Sequence, residues 1–322
     1  MERLTENKIV LVKRKTRLED LIARYNTIAQ AKFYIEHMGS DFSDYIMEDE
    51  RYKKAIAEAQ GHLEALGRVQ VVDREYVPNF IFGEDDIVVA IGQDGLVANT
   101  LKYLSNQQLI GVNPDPARWD GVLLPFTVAE LRLVIQDVFR KKRQVKEVSM
   151  AKATLNDGQA IYAVNDLFIG QRTHVSSRYR IQCGRRCEYQ SSSGIIVSTG
   201  LGSTGWLKSV LAGANSIVNG TMNGTSDKRS KLDKNTKVQI ERSLPWNSDY
   251  LYFSVREPFP SKNSGAELVF GTVTDETPLR ILSQMPENGV IFSDGIENDY
   301  LQFNSGIEAT ITVAEKKGKL VV

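Results

Sequence analysis

Residues 86–97 read DIVVAIGQDGLV, an apolar run that ends in a glycine-rich turn carrying an acid. The run Asp86–Ile91 is short and rich in β-branched residues, as in a buried strand. The turn holds Asp94 between two glycines, and Leu96–Leu104 follows with helical character. A strand, a glycine turn and a helix N-terminus can cradle phosphate, because backbone N–H groups point outward there. This stretch therefore predicts a βα unit with a candidate anion site.

Strand and helix patterns alternate around this unit. Apolar runs predict further strands at Lys8–Val12, Val69–Val72 and Leu109–Val112. Helical spacing covers most of Glu19–Gly67, and a capping pattern precedes a helix at 131–139. Alternating strands and helices joined by short connections imply a parallel sheet covered on both faces. We predict a Rossmann-like α/β domain over residues 1–143.

The periodicity changes near Lys141, where short strands replace the alternation. Val148–Leu155 and Ala160–Ile169 flank an Asn-Asp-Gly turn and predict a hairpin. Further short strands continue to Val313, interrupted by one predicted helix over Ser203–Ile217. Such spacing is typical of a β-sandwich, which we assign to residues 144–322. The polar stretch 219–237 is predicted to be a mobile loop.

Composition excludes several classes of function. Lys plus Arg and Asp plus Glu both number 40, which gives no electrostatic reason to expect a nucleic-acid or membrane partner. No stretch reaches the roughly 18 to 20 apolar residues of a membrane span. The start, MERLTENKIV, lacks the features of a signal or transit peptide, so we expect a cytoplasmic protein.

Cysteine and histidine are too few for several kinds of site. The two cysteines stand in CGRRC at 183–187, a spacing that fits neither a redox pair nor four zinc ligands. We expect two reduced thiols without a functional role. Three histidines make a His-based triad or a multi-histidine metal site improbable, and no residue is assigned as a metal ligand.

Three stretches contain residues suited to chemistry. An acid among phosphate-binding amides repels an anion, so Asp94 makes sense if it binds Mg²⁺ or takes a proton from a hydroxyl. Its plainer interpretation is a helix N-cap. The stretch 193–206 reads SGIIVSTGLGSTGW, in which a strand runs into a hydroxyl-rich loop with Trp206 as a possible stacking face. Asn165 and Asp166 lie together in an apolar strand, where neighbours face opposite sides.

Taken in order, these stretches resemble the NAD kinase family. That family has a Gly-Gly-Asp-Gly turn, an Asn-Glu or Asn-Asp pair, and a D-G-x-x-x-S-T-P-T-G-S-T-A-Y stretch. Here they stand as GQDG at 92–95, ND at 165–166 and SGIIVSTGLGSTGW at 193–206. Further segments resemble the mitochondrial-type branch of these kinases, and the likeness covers nearly the whole chain. They are KIVLVKRKTRLE at 8–19, GVNPDPARWDG at 111–121, NDLFIG at 165–170, FSVREP at 253–258 and DG at 294–295.

The resemblance implies a function and a set of site residues. It implies an α/β ATP-cone-like domain and a β-sandwich with most of the NAD site, the extreme C-terminal segment being a candidate to pack back on the first domain. The activity would be phosphorylation of the adenosine ribose 2′-hydroxyl of NAD to NADP, with ATP and Mg²⁺. The expected partners are NAD, ATP and a second copy of the chain in a homodimer, with no nucleic acid and no membrane. Asp94 would be the catalytic base. The turn residues Gly92, Gln93 and Gly95 would face the ATP phosphates, and the NAD-binding residues would be Asn165, Asp166, Ser203, Thr204, Gly205 and Trp206.

Several positions depart from the family pattern. Gln93 replaces a glycine, Leu96 and Leu201 replace threonines, and Ser193 replaces an aspartate. Gln has a Cβ, so it resists positive φ and close approach of phosphate to the backbone. If the turn needs positive φ, the strain is of order 1–2 kcal/mol. Trp206 replaces a tyrosine, which keeps a stacking face and loses the phenol hydroxyl.

Two other functions stay open beside the NAD kinase. A non-catalytic dinucleotide-binding protein is suggested by Gln93. A kinase of the same fold acting on another hydroxyl, such as a sugar or lipid, is permitted by the substituted loop at 199–206. The sequence leaves open whether the donor is ATP or polyphosphate, whether NAD or NADH is preferred, and which oligomer forms.

Overall fold

The computed structural model describes residues 5–223 and 244–322. Within these ranges the chain divides into two compact units. Unit 1 contains residues 1–147 together with 318–322, and unit 2 contains residues 148–317. The final strand, Glu308–Val321, therefore supplies residues to both units.

Unit 1 has an α/β architecture. Its strands are β1 (Lys8–Lys13), β2 (Arg68–Asp73), β3 (Ile87–Ile91), β4 (Gln108–Asn113) and β5 (Phe126–Thr127). Its helices are α1 (Arg17–Tyr25), α2 (Ile28–His37), α3 (Ser43–Glu64), α4 (Asp94–Leu101) and α5 (Leu131–Phe139). The strands pair in parallel in the order β2-β1-β3-β4, and Lys319 and Leu320 of the final strand pair in parallel with β4.

The sequence of unit 1 explains these elements locally. Thr16 and Glu19 form a reciprocal capping box that starts α1, with Thr16 Oγ1 accepting from Glu19 N at 3.1 Å and Glu19 Oε2 accepting from Thr16 N at 2.9 Å. All five residues of β3 are buried, as its unbroken apolar run predicts for a central parallel strand. Its alternate side chains, Ile87, Val89 and Ile91, share one core with α3 and α5.

The described residues of unit 2 form β-strands and one α-helix. The strands are β6 (Val145–Leu155), β7 (Ala160–Ala163), β8 (Asp166–Gln171), β9 (Ser177–Cys183), β10 (Arg186–Ser192), β11 (Ile195–Ser198), β12 (Leu251–Val255), β13 (Phe270–Val273), β14 (Leu279–Ser283), β15 (Gly289–Ser293), β16 (Ile296–Gln302) and β17 (Glu308–Val321). The helix is α6 (Trp206–Asn223). The first three residues of β6 and the last four of β17 belong to unit 1.

Two antiparallel layers enclose the core of unit 2. One sheet has the order β13-β12-β11-β8-β15-β16, and the other pairs β10, β9, β14 and the first part of β17. Alternate residues from both layers, such as Ile169, Val197 and Ile281, meet in a single apolar cluster. This is the packing of a β-sandwich, so the predicted order of an α/β unit and a sandwich is confirmed.

The predicted single strand over 160–169 is wrong. The structure breaks it into β7 and β8, which pair in different sheets. The break falls at Val164 and Asn165, whose backbone N–H groups donate to the side-chain carboxylate of Asp294. A ladder cannot continue where its N–H groups are taken by a side chain.

The helix predicted over 203–217 is displaced toward the C-terminus. Gly202–Thr204 form a 3₁₀ turn, and α6 runs from Trp206 to Asn223. The loop predicted over 219–237 is therefore wrong for 219–223, and its remainder lies outside the described residues. Across the described ranges, no helix is long and apolar enough to cross a membrane.

The two cysteines lie on the β9–β10 hairpin. Cys183 is paired with Arg186 and Cys187 with Gln182, so the two thiols point to opposite faces of the hairpin. Both are free thiols, and their lack of a functional role stays a prediction.

Candidate functional site

The Gly92–Gly95 turn joins the buried end of β3 to α4. Gly92 N donates to Val112 O at 3.2 Å, and Tyr52 Oη donates to Ile91 O at 2.7 Å. Gln93 is the N-cap of α4, with φ −115° and ψ 164°. These angles are ordinary extended backbone for any residue, so the strain considered for Gln93 does not exist. The turn tolerates a side chain there because Gln93 enters the helix from the β region, as N-cap residues do.

Asp94 is the first residue of α4, so the N-cap interpretation of its side chain is wrong. Its carboxylate reaches across to the segment after β4 and accepts from Leu123 N at 2.8 Å and from Val122 N at 3.3 Å. The glycine at 111 lets the segment with Leu123 pack this close to β4, because a Cβ at Gly111 would lie 2.0 Å from Leu123 O. Each carboxylate oxygen has two lone pairs, so Asp94 keeps acceptor capacity for a ligand.

The turn lies at the position where parallel α/β sheets bind ligands. β1 pairs with both β2 and β3, so the strand order reverses direction between β1 and β3. Ligands of open α/β sheets bind at such a reversal, outside the carboxyl ends of the strands. The hydroxyl of Tyr52 bridges the two strand ends, accepting from Arg14 N at 3.0 Å and donating to Ile91 O.

A network of arginines and carboxylates surrounds the carboxyl end of β1. Arg118 binds Asp44 through both terminal nitrogens at 2.8 and 2.7 Å, and Arg17 reaches Asp44 at 2.7 Å. Arg14 donates to the buried Glu48 at 2.8 Å. Hydrogen bonds from Arg118 and then Arg17 hold the pKa of Asp44 far below its ordinary value. The basic run KRKTR at 13–17 is the one local signal for this network, because the acidic partners of its arginines are distant in the chain.

In unit 2 the predicted NAD-binding stretches lie against one another. Thr199 N donates to Asn165 O at 3.0 Å, and Thr199 Oγ1 donates to Val164 O at 2.6 Å. Gly202 packs directly on this segment, since a Cβ there would lie 2.1 Å from Asn165 O. The loop 199–204 and the Asn165–Asp166 pair thus form one contiguous structure.

Asp166 is a carboxyl group held in a low-polarity setting. Asp166 as a whole is partly exposed, yet burial of its carboxyl group raises the pKa of that group to about 7. A hydrogen bond from Ser198 Oγ lowers this pKa, and the negative charge of Asp294 raises it further. A group with such a pKa changes protonation near neutral pH. This property is invisible in the sequence, because it arises from burial and from a residue 128 positions away.

The predicted loop residues make local hydrogen bonds. Ser203 Oγ donates to Gly200 O at 2.7 Å and accepts from Leu244 N at 3.3 Å. Thr204 Oγ1 donates to Leu201 O at 3.2 Å, while Gly205 N donates to Gly202 O at 2.9 Å. Both hydroxyl oxygens therefore support the turn that leads into α6, and Thr204 and Gly205 are exposed to solvent.

A cavity of about 470 Å³ opens on unit 2 beside Asp166. A row of aromatic rings follows the sheet there, with centroids 5.8 Å apart for Trp206 and Phe168, 6.1 Å for Phe168 and Phe292, and 5.7 Å for Phe292 and Tyr300. Phe168, Phe292 and Tyr300 are direct cross-strand partners on the face opposite the core. The row can stack flat rings, and sequence patterns did not reveal it because its members come from four elements.

An arginine lies at each end of this aromatic row. The Arg256 guanidinium carbon is 5.5 Å from the centre of the Trp206 ring, and that of Arg172 is 5.1 Å from Tyr300. Both arginines line the cavity, as does Ser193, the residue that departs from the family's aspartate. The cavity therefore combines ring surfaces with positive charge, which suits a ligand with aromatic rings and phosphates.

Within the described parts of the chain, no three His, Cys, Asp or Glu side chains are grouped so that they could hold a metal ion. Asn165, Ser203 and Thr204 do not line the cavity described above, whereas Asp166 and Trp206 do.

A curated protein matches part of the chain in sequence. NAD kinase 2 of Geobacillus kaustophilus (strain HTA426) is 27% identical over 135 residues, which is 40% of this chain and 49% of that protein. The match thus spans about half the length of this curated relative. No protein-family model matches the chain.

Solved structures match over almost the whole chain. An Archaeoglobus fulgidus NAD kinase in complex with ATP has a TM-score of 0.56 and 16% identity, covering 98% of this chain and 93% of its own. A yeast NADH kinase complexed with NADH has a TM-score of 0.54 and 12% identity, covering 99% of this chain and 84% of its own. The chain therefore has the fold of the NAD kinases. Fold and sequence together confirm its resemblance to the NAD kinase family, while the mitochondrial-type branch stays a prediction.

Proposed function

We propose that the protein is a kinase that transfers a phosphoryl group from ATP to the adenosine ribose 2′-hydroxyl of NAD, giving NADP. The observation that carries the proposal is the position of Asp94. It follows a glycine turn at the strand-order reversal of an α/β unit, in a fold shared with an NAD kinase bound to ATP. Phosphates approaching this turn would meet the N-terminus of α4.

Unit 2 supplies features suited to the dinucleotide. Asn165 and Asp166 offer amide and carboxyl groups for ribose hydroxyls, and the loop 203–206 adjoins them. The aromatic row can stack on a flat ring, while Arg172 and Arg256 favour the diphosphate. Both the ring and the phosphates of NAD thus find complementary groups beside Asp166.

The chemistry asked of the chain is positioning and proton removal. Asp94 would accept the proton of the 2′-hydroxyl as the bond from that oxygen to the γ-phosphorus forms. The bond from the γ-phosphorus to the bridging oxygen breaks, and ADP leaves. The hydrogen bonds from Val122 and Leu123 fix the carboxylate in one orientation for this step.

Mg²⁺ fits the donors of this region. Mg²⁺ retains water ligands and commonly takes one or two protein carboxylates together with substrate phosphates. Each oxygen of the half-exposed Asp94 carboxylate retains a free lone pair, so one would serve the ion beside the ATP phosphates and the other would stay available for the proton. When bound there, the ion would supply positive charge to the phosphoryl oxygens.

The first test is NADP formation by the purified protein with ATP, Mg²⁺ and NAD, read with an NADP-specific dehydrogenase. We expect NADP only when donor and acceptor are both present. Polyphosphate and NADH in parallel reactions identify the donor and the preferred dinucleotide. Binding of NAD without NADP formation from either donor would favour the non-catalytic alternative. Phosphate transfer to a sugar or lipid, with none to NAD, would favour a kinase of the same fold that acts on another hydroxyl.

Two wider expectations belong to this proposal. We propose a cytoplasmic protein that acts as a homodimer. Sedimentation analysis of the purified chain measures the second directly, and a monomer at all concentrations would contradict it.

A further inference from the structure

At the break between β7 and β8, three successive backbone N–H groups donate to a side chain. They belong to Val164, Asn165 and Asp166, the residues just before and at the start of β8. Buried or half-buried N–H groups need acceptors, since an unpaired donor costs stability. Three adjacent N–H groups that converge make a small anion-binding concavity.

The carboxylate of Asp294 fills this concavity. Oδ2 accepts from Val164 N at 3.0 Å, while Oδ1 accepts from Asn165 N at 2.6 Å and from Asp166 N at 3.3 Å. Asp294 also donates its own N–H to Asp166 O at 2.9 Å. Four hydrogen bonds thus join one residue of the β15–β16 turn to the three residues at the break.

The turn is built to present this side chain. Asp294 has φ 54° and is followed by Gly295 with φ 70°, as in a two-residue hairpin turn with an Asp-Gly pair. Asp and Asn are among the few side chains that adopt such a φ readily. Ser293 Oγ, just before the turn, donates to Tyr162 O at 2.5 Å, which joins the end of β15 to β7 just before the break.

The segment is therefore clamped from two sides. Asp294 holds its N–H groups, and Thr199 holds the carbonyls of Val164 and Asn165. With the backbone fixed by both, Asp166 is held at the edge of the cavity that it lines, with Asn165 directly before it. The order of the segment depends on a carboxylate from a distant turn.

We propose that Asp294 is a positioning residue for the dinucleotide site, acting through the backbone of Asn165 and Asp166 and not through the ligand. This inference rests on the proposed function, because it assigns those two residues to NAD binding. Without the carboxylate, the break loses three acceptor contacts and the two side chains lose their fixed orientation.

The test compares Asp294→Ala, Asp294→Asn and the matched control Asp157→Asn. Asp157 also precedes a glycine in a turn of unit 2, but its carboxylate accepts only within that turn, from Gln159. Asp294→Ala should weaken NAD binding by about tenfold or more, because three N–H groups lose their acceptor. Asp294→Asn keeps the backbone conformation and one acceptor oxygen, so it should rescue part of this loss. Asp157→Asn should bind as wild type does, and the Michaelis constant for ATP should be unchanged in all three.

A pH series separates positioning from general loss of structure. The carboxylate of Asp294 faces Asp166 and helps raise its pKa, so Asp294→Asn should shift the pH midpoint of NAD binding downward. Ser198 from β11 also contacts Asp166, and the same cavity is lined by Arg172, His174 and Arg256. These residues are the same in wild type and Asp294→Asn, so a difference in the pH midpoint reports the charge of Asp294. Hydrogen exchange of peptides over 160–168 should be faster in Asp294→Ala.

Each outcome decides one question. Failure of the wild type to bind NAD would remove the proposed function and this inference with it. Wild-type binding that Asp294→Ala leaves intact would overturn the positioning role and leave the function standing. Weaker binding with an unshifted pH midpoint and unchanged hydrogen exchange at 160–168 would also overturn it.

Discussion

Asp94 in unit 1 and Asp166 in unit 2 are both candidate site acids, but their surroundings differ. Asp94 begins a helix, is half-exposed, and accepts two backbone hydrogen bonds from the segment after β4. Asp166 begins a strand, has one hydroxyl donor in Ser198, and faces the carboxylate of Asp294. The first acid is held by amide donors, whereas the second lies beside another negative charge.

This difference shows how the same residue type serves two tasks. A carboxylate anchored by amides has a fixed direction, as proton transfer to it requires. A carboxyl group with little hydrogen bonding from the protein retains capacity for ligand hydroxyls, at the expense of its own stability as an anion. We therefore assign chemistry to Asp94 and affinity to Asp166, and the predictions below test that division.

The largest effect is expected from Asp94→Asn. Turnover should fall at least about a hundredfold, the usual scale for removing a general base. The amide oxygen can still accept from Leu123 N, so the free energy of unfolding should drop by only about 1 kcal/mol. Steady-state kinetics measure the turnover, and urea unfolding measures the free energy of unfolding. Asp137→Asn, which breaks the ion pair between Asp137 on α5 and Arg143, is the matched control and should keep its turnover. Near-normal turnover in a folded Asp94→Asn protein would remove Asp94 from the mechanism.

The second prediction concerns Asp166 and pH. Its pKa is about 7 in the folded protein against an ordinary value of 3.8, so the folded state binds its proton more tightly. The free energy of unfolding should therefore decrease as pH rises from about 4 to about 7. Asp166→Asn removes this loss and should be more stable than wild type at pH 8 by on the order of 2 kcal/mol. Urea unfolding of wild type and Asp166→Asn at pH 5 and pH 8 measures this difference. The same pH dependence in both proteins would show that Asp166 is an ordinary exposed acid.

The smallest effect is expected from Gln93→Gly. Gln93 has an unstrained extended backbone, so glycine relieves nothing and should cost about 0.5–1 kcal/mol in unfolding free energy. Without the Cβ, phosphates can approach the turn more closely, and the Michaelis constant for ATP should fall by about two- to fivefold. Loss of activity would instead mean that the Gln93 side chain itself contacts a ligand.

Much of the fold could be predicted because its signals are local. The strand at 87–91 is an unbroken apolar run, and a glycine turn and helix follow it directly in the sequence. The sandwich follows from alternating apolar residues in short strands. The order of the three site motifs pointed to the family because each motif lies within a few neighbouring residues.

The parts that could not be predicted depend on residues far apart in the chain. The break at Val164 and Asn165 needs Asp294, which is 130 and 129 positions away. The row from Trp206 to Tyr300 follows from cross-strand register, which no local pattern specifies. The prediction of strain at Gln93 was wrong because the φ of Gln93 is set by how the chain passes from β3 into α4.

The division between the two acids is tested by thermal unfolding with and without NAD for wild type, Asp94→Asn and Asp166→Ala. A ligand bound only by the folded state stabilises it by about 2.7 kcal/mol at a hundredfold excess over its dissociation constant. We expect this shift in wild type and in Asp94→Asn, and its loss in Asp166→Ala. A shift that survives in Asp166→Ala, or disappears in Asp94→Asn, would contradict the assignment of affinity to one acid and chemistry to the other.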